Sequence, residues 1–357
     1  VSLLLCLGEM PSLKHLILTD CGLECEDVSY VMLECAQLHC LRSVDLTKNK
    51  IGDMGASSVA WLIDESRSLR SVNLSDNPIS DGGVQALALA LPENENLKHL
   101  YLNEIEAGEE GLVALAGALC QNSELNRLFL RGLEVSVPAA HAFWDMLRHN
   151  STLWELDLSS GGLTDEHMRP LPGILRGHSG LYDLYLLGNR ISGSMLSCIG
   201  SMLSQHRTLK VVNLAFNRNE DGNDTAFGFA ESLQAGCRLC DLDLGKNKIG
   251  ETGAVALANA VLHNHRLLEL GLEENRIGSE GAAALGEAIA ENRSLKILAL
   301  WNNSIEESGM LSLLQGLRRN RCLWSCGLSE NKFDVRCAKE LAHVLQEHPN
   351  LAKLSLS

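Results

Sequence analysis

The chain has 357 residues, of which 45% are apolar and 21% charged, a composition that supports a packed core and excludes wholesale disorder. Its net charge of −15, from 45 acids against 30 bases, argues against a nucleic-acid binder, which needs basic surface to displace counterions. No apolar run is long enough for an ordinary membrane-spanning helix.

Val1 opens the chain without an initiator Met, and the apolar stretch Ser2 to Leu7 follows no basic segment and is too short for a signal peptide. It reads as the remnant of an earlier helix with Leu3, Leu4 and Leu7 inward. The chain is expected to be a piece of a larger protein. From Leu13 a repeat takes over. Leucines stand at 13, 41, 69, 97, 125, 153, 181 and 209, each 28 apart, and after one step of 30 at 239, 267, 295, 323 and 351. Each opens an LxxLxL pattern, such as LKHLIL at 13 and LLELGL at 267. Strict alternation of this kind predicts a short strand. The middle position accepts Val44, Val72, Val212 and Cys326, all small and apolar, so it is expected to be buried.

Three residues after the motif comes Asn, at 49, 77, 189, 217, 247, 275, 303 and 331, then an aliphatic such as Ile51 or Ile249, and often a Gly. Asn there is expected to turn inward and bond free backbone groups where the chain leaves the strand. The second half of each unit has helix spacing, as in Val84, Leu87, Ala88 and Leu91, or Ala254, Leu257, Ala258 and Val261. A closing Asn ends many units, at 94, 122, 150, 264, 292 and 320.

These motifs resemble the leucine-rich repeat, one strand and one helix per unit. The 28-residue length and the segments NKIGETGAVALANAVLHN at 247–264 and NRIGSEGAAALGEAIAEN at 275–292 are similar to the ribonuclease-inhibitor-like subclass, and to the repeat region of NOD-like receptors in particular. The resemblance implies an α/β solenoid, a horseshoe with a parallel β-sheet on the concave face and helices on the convex face. It implies a single domain over 1–357, of about thirteen repeats. It implies fold far more sharply than function, since unrelated activities share this scaffold.

Candidate binding residues follow from the variable strand positions. Repeats four to seven place Tyr101, Arg127, Phe129, Arg131, Asp157 and Tyr185 on the inner face. Exposed Tyr, Phe and Arg on adjacent strands are the types expected at binding hot spots, although scattered surface aromatics are also ordinary. The same region breaks the repeat: the Asn position becomes Ile105, Leu133 and Gly161, and Pro170 and Pro172 fall inside an expected helix. Later repeats carry acid, at Asp241, Asp243, Glu269, Glu273 and Glu274, beside Trp301. A basic partner finds complementary potential there, and a merely solvated acidic face is the alternative. The two-residue insertion falls in 219–225 and is expected to form a protruding loop.

The twelve cysteines are irregularly spaced, and the lone CxxC at Cys237 and Cys240 lacks the second pair a zinc site wants. Reduced thiols acting as small hydrophobes suit the cytoplasm or another reducing compartment, an organelle or cilium included. There is no GxxxxGK[ST], GxSxG or HExxH, so neither catalysis nor a metal or cofactor is expected. The expectation is a non-catalytic scaffold that binds a protein partner, possible basic character included, without nucleic acid or membrane insertion. A structural subunit of a ciliary or organellar assembly, or a GTPase-activating protein like that for Ran, are the alternatives.

Overall fold

A computed structural model describes residues 10–176, 180–217 and 222–356. The expected helix remnant at Leu3, Leu4 and Leu7 and the first part of the 219–225 insertion lie outside the described residues.

The chain divides into two compact units. The first runs through Pro170 and takes in the segment ending at Asp183. It contains β1 (His15–Ile17), α1 (Cys25–Cys35), β2 (Ser43–Asp45), α2 (Asp53–Glu65), β3 (Ser71–Asn73), α3 (Asp81–Ala90), β4 (His99–Tyr101), α4 (Glu109–Leu119), β5 (Arg127–Phe129), α5 (Val137–His149), β6 (Glu155–Asp157) and α6 (Asp165–Met168). The second begins with α7 (Leu171–Arg176) and continues from Leu184 onward. After β7 (Asp183–Tyr185), which the division cuts, it contains α8 (Gly193–Met202), β8 (Val211–Asn213), α9 (Asn223–Gln234), β9 (Asp241–Asp243), α10 (Glu251–His263), β10 (Glu269–Gly271), α11 (Gly278–Glu291), β11 (Ile297–Ala299), α12 (Glu307–Arg319), β12 (Ser325–Gly327), α13 (Val335–Glu347) and β13 (Lys353–Ser355).

Within each unit neighbouring strands pair in parallel and in chain order, equivalent residues of successive repeats facing each other. The leucine pattern explains the register. Every motif-opening leucine from Leu41 to Leu323 is buried, as are the middle residues Leu100, Leu128 and Leu270. A one-residue slip moves this apolar set to solvent, so the register is strongly fixed. The helices close the core from the other side, burying Val84, Leu87 and Ala88 on α3 and Ala254, Leu257 and Ala258 on α10.

Two ladders of asparagine hold the turns. Asn49 Oδ1 accepts from the Cys21 and Leu23 backbone N–H groups at 3.0 Å, while its Nδ2 donates to Leu18 O and Leu46 O at 2.8 Å. In the second unit Asn275 accepts from Asn247 N and Ile249 N and donates to Leu244 O and Leu272 O. These bonds satisfy buried backbone groups that the three-residue strands leave unpaired. The closing asparagines do the same at the helix ends: Asn122 donates to Leu91 O at 2.7 Å and accepts from Leu125 N at 2.8 Å. His206 and His348 stand in for them in two repeats, their Nδ1 accepting from Leu209 N and Leu351 N.

Where the first ladder lapses, the space is filled with hydrocarbon: Ile105 and Leu133 are buried. The expected helix after β6 is broken at Arg169 and Pro170, leaving the four-residue α6 and the separate α7. Pro removes a backbone donor and clashes with the preceding turn, so a continuous helix cannot pass. The fully buried Trp144 of α5 caps the short α6, its Nε1 donating to His167 O at 2.7 Å.

Candidate protein-binding faces

On the first unit the register aligns two rows of side chains across β4, β5 and β6. His99, Arg127 and Glu155 form one row, and Tyr101, Phe129 and Asp157 the next. Tyr101 and Phe129 stack with ring centroids 4.5 Å apart and planes 6° apart. Arg127 lies over the Trp154 ring at 4.3 Å and places its Nε 3.0 Å from Glu155 Oε2. That Nε is buried and not aligned for a hydrogen bond, so the pair is a charge contact. Burial pushes the Glu155 carboxyl above its ordinary range despite the opposing pull of Arg127. Burial, with Arg127 and Lys98 nearby, holds His99 below its ordinary value. Asp157 accepts from Ser159 N at 2.8 Å. Arg131 is exposed, and its backbone N–H donates to Asn103 Oδ1 at 2.9 Å.

On the second unit a cavity of about 250 Å³ opens on the strand face, lined by Tyr185, Asp241, Asp243, Glu269 and Glu273 together with apolar Val211 and Ile297. Tyr185 thus joins the acidic residues. Asp243 accepts from Asn213 Nδ2 at 2.9 Å and Gly245 N at 3.0 Å. Its carboxyl and that of Glu273 converge over Gly271, where a Cβ would stand 2.7 Å from Asp243 Oδ1 and 3.2 Å from Glu273 Oε2. A larger residue there would push the carboxyl ends aside. Glu273 Oε2 is buried without a hydrogen-bond partner. Burial first, then the Asp243 charge, pushes the Glu273 carboxyl up to about 7. Burial also raises Asp243, against the pull of its two hydrogen bonds. Trp301 is half-buried on the same side, 3.7 Å from where a Gly327 Cβ would stand.

Sequence reasoning missed Trp154 as the platform for Arg127, and Gly271 as the floor of the carboxyl pair. A signal existed for the second: glycine replaces a side chain at a variable strand position, LGL, where no turn requires it. The CxxC cysteines separate as strand geometry requires, with Cys237 buried and Cys240 half-buried, its Sγ toward Arg238 O. Burial pushes the Cys237 thiol up, away from the thiolate.

Segments 37–60, 65–88, 149–168, 239–258 and 263–286 match the Leucine Rich repeat family. The chain carries leucine-rich repeats. Two solved leucine-rich repeat structures show the same fold. An internalin (inlF) of Listeria monocytogenes is 21% identical with a TM-score of 0.56, the match covering 98% of this chain and 82% of that one. A chain from the Rad7 and Elc1 complex of yeast is 15% identical with a TM-score of 0.60, covering 99% and 82%. No curated protein matches the sequence. Among the described residues no helix is long and apolar enough to cross a membrane, and no group of three His, Cys, Asp or Glu side chains is placed to hold a metal ion.

Proposed function

We propose that this chain is a non-catalytic recognition scaffold that binds a protein partner through the solvent face of its strands, in the manner of the repeat regions of NOD-like receptors. The observation that carries this reading is the Tyr101–Phe129 stack, half-exposed beside the exposed Arg131. A flat aromatic platform with an arginine at its edge supplies large contact area at low entropic cost, the composition of binding hot spots. The leucines at 97, 100, 102, 125, 128 and 130 already fill the core beneath it, so packing does not require those rings.

The second unit supports a basic partner. Asp243 and Glu273 share one floor, and Glu273 Oε2 is unpartnered. A lysine or arginine entering the cavity supplies the missing donor and relieves the repulsion between the carboxylates. The test begins with capture of the partner from native lysate at low salt. Its affinity is then measured for the wild type and for the combined Tyr101→Ala, Phe129→Ala and Arg131→Ala variant. A loss of about 2 kcal/mol is expected. Unchanged affinity with melting behaviour intact moves the interface to the acidic strands or the helices.

A further inference from the structure

We propose that a basic cavity at the entrance to β1, β2 and β3 binds the phosphate monoester of a phosphorylated peptide segment. The site is separate from the strand face described above. A cavity of about 390 Å³ is lined by Lys14, His39, Arg42, Arg67, Ser68 and Arg70, with no carboxylate among its lining residues. Lys14, Arg42, Arg67 and Arg70 bring four positive charges to it in a chain whose net charge is −15.

The repeat builds it. Lys14, Arg42 and Arg70 each follow a motif-opening leucine, 28 residues apart. Their backbones are joined directly: Arg42 N donates to Lys14 O and Arg70 N to Arg42 O, both at 2.7 Å. They therefore form a column with one strand step, about 4.8 Å, between rungs. His39 and Arg67, also 28 apart, form a second column beside it. Like charges at this spacing repel. Among the described residues no ion pair relieves Lys14, His39, Arg42 or Arg67, and Arg70 donates only to neutral acceptors, of which Asn96 Oδ1 at 2.9 Å is the shortest. At the next rung the pattern ends, because Lys98 pairs with Glu124. The column of Lys14, Arg42 and Arg70 thus ends where an acidic partner first appears.

The spacing selects the ligand. Carboxylates on one side of an extended acidic peptide repeat at roughly 6.7 Å, out of step with rungs about 4.8 Å apart. One phosphate, with nearly two charges and three acceptor oxygens, bridges adjacent rungs and takes the arginine forks and the Ser68 hydroxyl together. The overall charge of −15 opposes approach to an anionic bilayer or a nucleic acid, which present extended negative surfaces, whereas a peptide engages the cavity alone.

The experiment titrates the full chain into a fluorescein-labelled Gly-Ser-phosphoserine-Ser-Gly peptide and its phosphate-free twin, with anisotropy as the readout. The phosphopeptide is expected to bind at least about tenfold more tightly, and Arg42→Gln with Arg67→Gln to remove that preference. Both side chains are exposed, and an unchanged melting temperature shows that the variant folds. Inorganic phosphate at millimolar concentration is expected to compete. Equal binding of the two peptides, or a double variant that binds as the wild type does, overturns the proposal. So does retention on phosphoinositide-containing vesicles without phosphopeptide binding.

Discussion

Tyr101 and Phe129 stack because parallel pairing puts them opposite each other, and their centroid separation of 4.5 Å is close to one strand step. The near-parallel planes follow from the backbone register, since free aromatic pairs prefer an offset or edge-to-face arrangement. The outer face of the pair is left for another molecule. Replacing both rings with alanine is expected to lower stability by about 1 kcal/mol, the worth of such a pair. Arg131→Ala should change it by no more than about 0.5 kcal/mol. Urea unfolding of the variants checks both values. A much larger loss would make the rings part of the core.

Glu273 titrates near neutrality, and the sign of its effect is fixed by that. Its folded value of about 7 lies above the ordinary 4.5, so between these the folded chain holds a proton that the unfolded chain has released. The stability it contributes is complete at low pH and is lost as pH rises through 7. Glu273→Gln should therefore gain on the wild type between about pH 5 and pH 8, on the order of 1 kcal/mol after solvent screening. Binding of a basic partner runs the other way, tightening as Glu273 ionises, and the variant should lose that pH dependence. Parallel stability profiles at pH 5 and pH 8 would refute the assignment.

The inner asparagine ladder is expected to be among the most sensitive features of the fold. Asn275→Ala strands the Asn247 and Ile249 backbone donors in the interior, together with the carbonyls that its amide bonds. A loss of roughly 3 kcal/mol is expected in chemical denaturation. A loss below about 1 kcal/mol would mean that water enters and replaces the amide.

Two helical glycines should respond in opposite directions to alanine. A Cβ on Gly316 of α12 would stand 2.0 Å from Gly286 O of α11, so those helices must move apart. Gly316→Ala is expected to cost about 2 kcal/mol or more. Gly117 of α4 has nothing within 4 Å of its Cβ position, and Gly117→Ala should stabilise by about 0.5–1 kcal/mol. Melting temperatures of the two variants decide the matter.

The sequence by itself determined the strand and helix order, the buried leucine positions and the inward role of Asn49 and its equivalents, because each depends on spacing along the chain and recurs every 28 residues. It also placed Tyr101, Phe129, Asp243 and Glu273 on the strand face, because alternation sorts side chains between core and solvent. Only the tertiary structure decided what those side chains do. The left-handed conformation at Lys48, Asp76, Phe216, Lys246 and Glu274 recurs at each strand exit, yet no shared residue type announces it. The seat of Arg127 on Trp154, the convergence of two carboxyls over Gly271 and the close approach of Gly316 to Gly286 are distances between repeats. A 28-residue period states which positions are equivalent. What a side chain meets depends on its rotamer and on the neighbouring strand, and those are fixed only when the repeats pack.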